Sequence, residues 1–111
     1  MRESEVLVLV RLVFGQADGF VVWRNTSGFV QESDRAIRYG VGTGGSDLLG
    51  IAPGGLFLAV EVKTATGRVS PEQLSFLELV YESGGVACLT RSESQAREQI
   101  DGIRAGKRRH F

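Results

Sequence analysis

A β-hairpin is the feature that most constrains the fold of this 111-residue chain. Runs of mostly apolar residues at 47–51 and 56–63 flank Ala52-Pro53-Gly54-Gly55, whose composition is typical of a tight turn. Two strands joined so closely pair antiparallel with each other. With a three-residue loop at 53–55, Ala52 faces Leu56, and counting back along both strands places Asp47 opposite Glu61.

The rest of the chain alternates between helical and extended patterns. The apolar run that begins after Glu3 and Glu5 predicts a helix closed by Gly15, because carboxylates are favoured at the positive end of the helix dipole. Ser70-Pro71-Glu72-Gln73 predicts the start of a second helix, with Ser70 as N-cap. Further predicted are strands at 19–25 and 86–90, a helix from 92 to 105, and a loop at 29–45 with a short strand at 37–41.

This order of elements predicts an α/β fold with a mixed central β-sheet flanked by helices. A chain of this length carries one buried core, so a single domain is expected to cover residues 1–111, with a basic tail at 107–111. The apolar run from Val6 to Phe14 is interrupted by Arg11 and is much shorter than the roughly 20 residues that cross a bilayer. No membrane partner is therefore expected.

Charge and cysteine content exclude several classes of function. Lys plus Arg and Asp plus Glu number 13 each, so any contact with DNA must depend on local patches rather than on bulk electrostatic attraction. The single Cys88 excludes an intramolecular disulfide and a multi-cysteine zinc site. These features predict a protein of the reducing cytoplasm.

The hairpin also displays three charged side chains. Glu61 and Lys63 are two residues apart on one strand and share a face, which Asp47 joins from the facing strand. Directly opposed Cβ atoms lie about 4.5–5.5 Å apart, so two carboxylates there repel each other unless a cation such as Mg²⁺ or Mn²⁺ neutralises them. Lys63 would then orient or deprotonate a water, or stabilise charge on a phosphate. The alternative is a solvated sheet face with an incidental ion pair.

Asp47, thirteen further residues and then Glu61-Val62-Lys63 resemble the signature of the PD-(D/E)xK nucleases. The flanking segments, Gly42-Thr43-Gly44-Gly45-Ser46-Asp47-Leu48-Leu49-Gly50 and Val69-Ser70-Pro71-Glu72-Gln73, are similar to the VRR-NUC family, and in particular to its short, stand-alone, virus-type members. The resemblance covers most of the chain, from the first helix to Arg91. Ser46 stands where the signature has its proline, and that proline is commonly missing among these nucleases.

The resemblance implies a restriction-endonuclease-like core and a Mg²⁺- or Mn²⁺-dependent deoxyribonuclease that hydrolyses phosphodiester bonds. It implies duplex or branched DNA, such as a Holliday junction, as the substrate. It also implies a homodimer in the cytoplasm of a bacterium or of a virus-infected cell. The alternative is a DNA-junction or DNA-end binding module that has lost catalysis.

The resemblance further implies which residues form the site. Asp47, Glu61 and the backbone carbonyl of Val62 would hold the metal, with Lys63 as a catalytic group. An acid on the first helix completes such sites. Both Glu3 and Glu5 are available for that role, and Glu3 is preferred because of the helix face on which it lies.

Gln73 matches a site glutamine on the helix after the Glu61-Val62-Lys63 strand. A capping box with Ser70 explains the same residue without any role in catalysis. One side chain in one rotamer is not expected to serve both purposes, so the two interpretations exclude each other.

DNA phosphates are expected to be bound by Arg24 and Arg38, rather than by other arginines in the loops or by the basic tail with His110. Gly40, Gly42 and Gly45 satisfy a G-x-G-x-x-G spacing, which suggests a dinucleotide site. That site requires a helix directly after the glycines, whereas the sequence there predicts a strand. Dinucleotide binding is therefore excluded.

Overall fold

The computed structural model describes residues 1–26 and 44–111 in full and residues 28–32 and 35–39 as backbone strands. Three helices and seven strands follow one another along these parts of the chain. They are α1 (Glu3–Gln16), β1 (Val21–Arg24), β2 (Gly28–Glu32), β3 (Arg35–Tyr39), β4 (Leu48–Ala52), β5 (Leu56–Val62), α2 (Pro71–Glu82), β6 (Val86–Thr90), α3 (Glu93–Arg104) and β7 (Arg109–His110).

Five of the strands form one mixed sheet in the order β1-β4-β5-β6-β7. The β1–β4 and β4–β5 pairs are antiparallel, whereas β5–β6 and β6–β7 are parallel. Strands β2 and β3 pair with each other in a separate two-stranded sheet. The predicted mixed sheet flanked by helices is confirmed.

The β4–β5 hairpin has the predicted register, since Ala52 pairs with Leu56 and Leu48 pairs with Val60. Gly54 and Gly55 take φ angles of 87° and 78°, a region that side chains with a Cβ rarely adopt. These angles close the loop within three residues. The register then carries Asp47 and Glu61, one step beyond the last strand pair, to the same end of the hairpin.

Helices cover both faces of the sheet. On one face α1 and α3 pack on Leu58, Val60 and their neighbours, and α1 contributes Val6, Val10 and Phe14 at helical spacing. On the other face, α2 packs its Leu77 and Val80 against Leu49, Ala59 and Ala87. Burial of such a side chain contributes about 1.5–3 kcal/mol each, so these two layers hold the strands in place.

Two sequence predictions about elements differ from the structure. Gly15 lies inside α1 and does not close it, because the helix continues to Gln16. In the segment 29–45, expected to be a loop with a short strand at 37–41, that strand overlaps β3, and most of β2 lies in the part expected to be loop. Residues 33, 34 and 40–43 lie outside those that the structure describes. Polar and charged residues interrupt the apolar pattern of β2 and β3, while the two strands supply each other with backbone partners.

The basic tail at 107–111, for which no strand was predicted, contains β7. Arg109 and His110 pair in parallel with Ala87 and Cys88 of β6. A two-residue strand has no periodicity to detect, and the pairing arises because the outer edge of β6 needs backbone partners. No helix in the described part of the chain has both the length and the apolar character required to cross a bilayer.

Candidate active site

Asp47 is fixed directly before β4 by both its backbone and its side chain. Its carbonyl oxygen accepts a hydrogen bond of 2.9 Å from the backbone N–H of Asn25. Its carboxylate Oδ2 accepts a bond of 2.8 Å from the N–H of Val62 on β5. The carboxylate thus replaces the backbone partner that β4 no longer supplies at this end of the hairpin.

Val62 has its backbone polar groups on the β4 side of β5. The N–H of the next residue, Lys63, bonds to the carbonyl of Thr90 at the end of β6, and successive residues of a strand direct their N–H and C=O groups to opposite edges. The N–H of Val62 accordingly reaches Asp47. Its carbonyl shares this edge, as a contribution to the site would require.

Glu61 and Lys63 lie on the face of β5 that α2 covers. Glu61 is 1% exposed and Lys63 is 9% exposed, so neither belongs to a solvated sheet surface. Lys63 Nζ lies 3.9 Å from Glu61 Oε1, at the long limit of an ion pair. The alternative of a solvent-exposed incidental pair is therefore wrong, because both groups are buried.

Gln73 joins the second helix to this site. Its Oε1 accepts a bond of 2.9 Å from the backbone N–H of Ser70, and its own N–H donates to Ser70 Oγ at 3.1 Å. Its Nε2 simultaneously donates to Glu61 Oε1 at 3.2 Å. The expectation that the two roles exclude each other is wrong, because the amide oxygen serves the cap while the amide nitrogen contacts Glu61.

The loop before Asp47 packs tightly on the same end of α2. Gly44 takes a φ of 83°, and a Cβ there would lie 2.6 Å from the carbonyl oxygen of Glu72. Any side chain at this position would push the loop away from the helix. Because Gly44 has no Cβ, the loop that leads into Asp47 can pack directly against the first turn of α2.

Glu3, at the first position of α1, brings a third carboxylate. One carboxylate oxygen each from Glu3, Asp47 and Glu61 lies within 4.8 Å of the others. Glu5 is placed differently, since its Oε1 accepts a long bond of 3.4 Å from the N–H of Arg2 at the helix start. Of the two acids considered for the first helix, the structure brings Glu3 to the group, which we call the acid cluster (Glu3, Asp47 and Glu61).

The acid cluster is electrostatically unfavourable without a cation. Burial raises the pKa of Glu61 to about 9, helped by the Asp47 carboxyl group and the charge of Glu3, and opposed by Lys63. Among the described residues, Glu61 Oε2 is buried without a hydrogen-bond partner. An all-oxygen donor set with an unpartnered buried oxygen fits a hard divalent cation such as Mg²⁺ or Mn²⁺.

Of the two arginines expected to contact DNA, Arg24 has its side chain among the residues that the structure describes in full. Arg24 is exposed at the end of β1 and pairs with Leu48, whose side chain is buried on the face covered by α1. It therefore starts from the opposite face to Asp47, although at the same end of the sheet. The side chain of Arg38 lies outside the residues that the structure describes in full.

Two residues with a structural role at the site were not predicted. Asn25 donates from its side chain to the Ser46 carbonyl at 3.1 Å and from its backbone to the Asp47 carbonyl, so it holds both residues. Arg91 Nη1 donates to the carbonyls of Thr64 and Gly67, both at 2.7 Å, and fixes the loop after Lys63. Both act on backbone carbonyls, which leave no pattern in a sequence.

Comparisons with known proteins agree with this arrangement. The model of the VRR-NUC domain family matches residues 20–94. A solved structure described as a VRR_NUC domain is 26% identical, with a TM-score of 0.61, over 89% of this chain and 94% of its own. The comparison with curated proteins gave no match. The family match spans β1 to the start of α3 and includes Asp47, Glu61, Lys63 and Gln73, and the chain therefore belongs to the VRR-NUC family of nuclease domains.

Proposed function

We propose that this nuclease domain is a Mg²⁺- or Mn²⁺-dependent DNA endonuclease that hydrolyses phosphodiester bonds. The observation that carries the proposal is the acid cluster, in which three carboxylate oxygens lie within 4.8 Å of one another beside a buried lysine. Carboxylates so close together repel one another and lower the stability of the fold. A divalent cation such as Mg²⁺, which binds protein carboxylates and substrate phosphates together, is the ligand that suits them.

Asp47, Glu61 and the backbone carbonyl of Val62 would hold the cation, with Glu3 completing the set. When bound, such an ion neutralises the carboxylates and withdraws charge from the scissile phosphate. Gln73 orients Glu61 by donating to its Oε1, and the Ser70 cap fixes Gln73 in turn. The contact to Oε1 leaves Glu61 Oε2 without a hydrogen-bond partner among the described residues, and we propose that this oxygen would bind the cation.

Lys63 is the cationic side chain of the proposed site that acts on the attacking water or on the phosphate. Its ammonium lies 3.9 Å from Glu61 Oε1 and is almost fully buried, so its position is set by the fold and not by solvent. From there it orients the attacking water, or stabilises the charge that develops on the phosphate. Arg24 and Arg38 are proposed to bind phosphates farther along the DNA.

We further propose branched DNA as the substrate and a homodimer as the working form. Support comes from the likeness to short, stand-alone family members. A second support is the surface of α1, where Val8 is 59% exposed and Leu12 is 52% exposed, an apolar face suited to a second copy. A symmetric dimer would present two cutting sites to one junction.

The experiment is incubation of the purified protein with labelled linear, nicked, flapped and four-way DNA, with EDTA or with Mn²⁺. We expect Mn²⁺-dependent products, strongest on branched DNA, and none from the Glu61→Ala variant. DNA binding by that variant should survive. Absence of metal-dependent product on every substrate, with binding intact, would instead support a binding module that has lost catalysis.

A further inference from the structure

A groove of about 420 Å³ follows the outer edge of the sheet beside β7. Its lining includes the cations Arg91, Lys107 and Arg109 and the rings of His110 and Phe111, and we call it the β7 groove. The guanidinium of Arg109 lies 4.0 Å from the centre of the Phe111 ring. Cations interleaved with aromatic rings are typical of surfaces that bind single-stranded nucleic acid, because phosphates meet the cations and bases meet the rings.

The β7 groove is separated from Glu61 of the acid cluster by one step between neighbouring strands. Leu89 lines the groove and is the β6 register partner of Glu61 on β5. Parallel partners face the same side of a sheet, and neighbouring strands lie about 4.8 Å apart. Arg91, which also lines the groove, holds the loop that follows Lys63. A polynucleotide strand that extends from the acid cluster across the end of β6 would therefore reach the groove within about one strand spacing.

The edge of β6 in this groove is closed to an added peptide strand. Gln99 Nε2 donates to the Leu89 carbonyl at 2.9 Å, and the Arg91 N–H donates to Gln95 Oε1 at 2.7 Å. These bonds occupy the backbone groups that β-strand addition would need. An occupant of the groove accordingly meets side chains, of which three are cations and one, Glu98, is acidic.

We propose that the β7 groove binds a single DNA strand that runs away from the scissile bond. Arg91, Lys107 and Arg109 contact its phosphates, and Phe111 offers a ring surface to a base. The inference rests on the proposed function, because it assumes that the substrate of the acid cluster is DNA. It deepens that function by giving the domain a physical means of preferring tailed or branched DNA over a blunt duplex.

The test measures binding without cleavage, by fluorescence anisotropy in EDTA. The ligands are a labelled single strand of about 15 nucleotides and a blunt duplex of the same length. The Lys107→Gln/Arg109→Gln double variant should bind the single strand on the order of tenfold more weakly, and its salt-dependence slope should fall by about 0.7 for each removed cation. Its binding of the duplex should change much less.

Arg97→Gln is the matched control, because Arg97 is exposed on α3 and lines neither the groove nor the apolar face of α1. It should leave both affinities nearly unchanged. Equal losses in the control and the double variant, or an unchanged single-strand affinity in the double variant, would overturn the proposal. An unchanged single-strand affinity would instead favour an acidic protein as the partner that binds the groove.

Loss of folding is separable from loss of binding. The Arg109→Gln change removes the contacts of the guanidinium with the aromatic rings, and it could lower the melting temperature of the double variant. In that case the Lys107→Gln single variant tests the proposal, because the Lys107 side chain is exposed. It should weaken single-strand binding by a few fold without changing the melting temperature. Because EDTA suppresses metal-dependent cutting, failure of the proposed nuclease activity would leave this binding result unaffected, and the two failures can be told apart.

Discussion

The two faces of β5 solve opposite problems within a few residues. The side chains of Val60 and Val62 are fully buried in the apolar cluster formed with α1 and α3. Glu61, between them, is equally buried on the other face and has an oxygen without a partner in the described residues. The comparison teaches that burial on the apolar face stabilises the strand. Burial of Glu61 on the opposite face lowers the stability of the fold, and it keeps the acidic groups close together.

The largest expected effect separates the faces by activity. Lys63→Ala should reduce DNA cleavage on the order of 10³-fold, because it removes a preorganised charge beside the reacting phosphate. Its melting temperature should rise with Mn²⁺ as that of the unmodified protein does, since the carboxylates remain. A single-turnover cleavage assay measures the first effect and a thermal shift the second. Cleavage within a fewfold of the unmodified protein would remove Lys63 from the mechanism.

The apolar face should show the reverse behaviour. Leu58→Ala should lower the free energy of unfolding by about 2–5 kcal/mol, because Leu58 is fully buried in the layer under α1 and α3. Urea unfolding measures the change. Cleavage by the fraction that remains folded at low temperature should stay within a fewfold. A large loss of cleavage in fully folded variant would show that the two faces are not independent.

Glu61→Gln should stabilise the protein in EDTA, which sharpens the comparison further. Since the pKa of Glu61 is raised from 4.5 to about 9, the folded protein holds a proton that the unfolded chain releases, and stability falls as pH rises between these values. The neutral amide removes this loss. We expect a melting temperature on the order of 5 °C higher at pH 8 and little difference at pH 4.5.

Mn²⁺ is the control for this prediction. It should raise the melting temperature of the unmodified protein and have less effect on Glu61→Gln, because the variant lacks one charged ligand. A variant that is less stable than the unmodified protein at pH 8 in EDTA would contradict the assigned cost of the buried carboxyl group.

A further expected effect separates the two roles of Gln73. Gln73→Ala should lower cleavage by about 10–100-fold through the lost contact with Glu61, as is typical when a group that orients a metal ligand is removed. Ser70→Ala is the matched control. It removes the capping hydroxyl at a cost of about 0.5–2 kcal/mol. The bond from the Ser70 backbone N–H to Gln73 Oε1 and the bond from Gln73 Nε2 to Glu61 do not involve that hydroxyl, so both should remain.

The two variants should therefore lose similar stability and differ in activity. Thermal unfolding and initial cleavage rates, measured on the same preparations, make the comparison. Equal cleavage by the two variants would show that Gln73 serves the helix alone.

Sequence reasoning succeeded where the determinant is local. The turn chemistry of Pro53-Gly54-Gly55 was enough to predict the register of the hairpin, and the register was enough to place Asp47 near Glu61. The capping box at Ser70 was predictable for the same reason. Both depend on residues that are adjacent in the chain, so their conformational preferences can be added directly.

It failed where one group has two partners or where the partner is distant. The amide of Gln73 was treated as a single contact, although its oxygen and nitrogen act independently. Asn25 acts through backbone carbonyls about twenty residues away, and β7 exists only because β6 offers it an edge. Such interactions depend on packing that no short motif records.

The bond between Gln73 and Glu61 makes the position of the Glu61 side chain depend on the first turn of α2. Terminal turns open more readily than the rest of a helix, so brief fraying at Ser70 would release Glu61 while the remainder of the molecule stays intact. On gradual heating, DNA cleavage should consequently decline before the tertiary structure melts. Opening of the first turn of α2, rather than unfolding of the whole domain, would then set the temperature at which cleavage is lost.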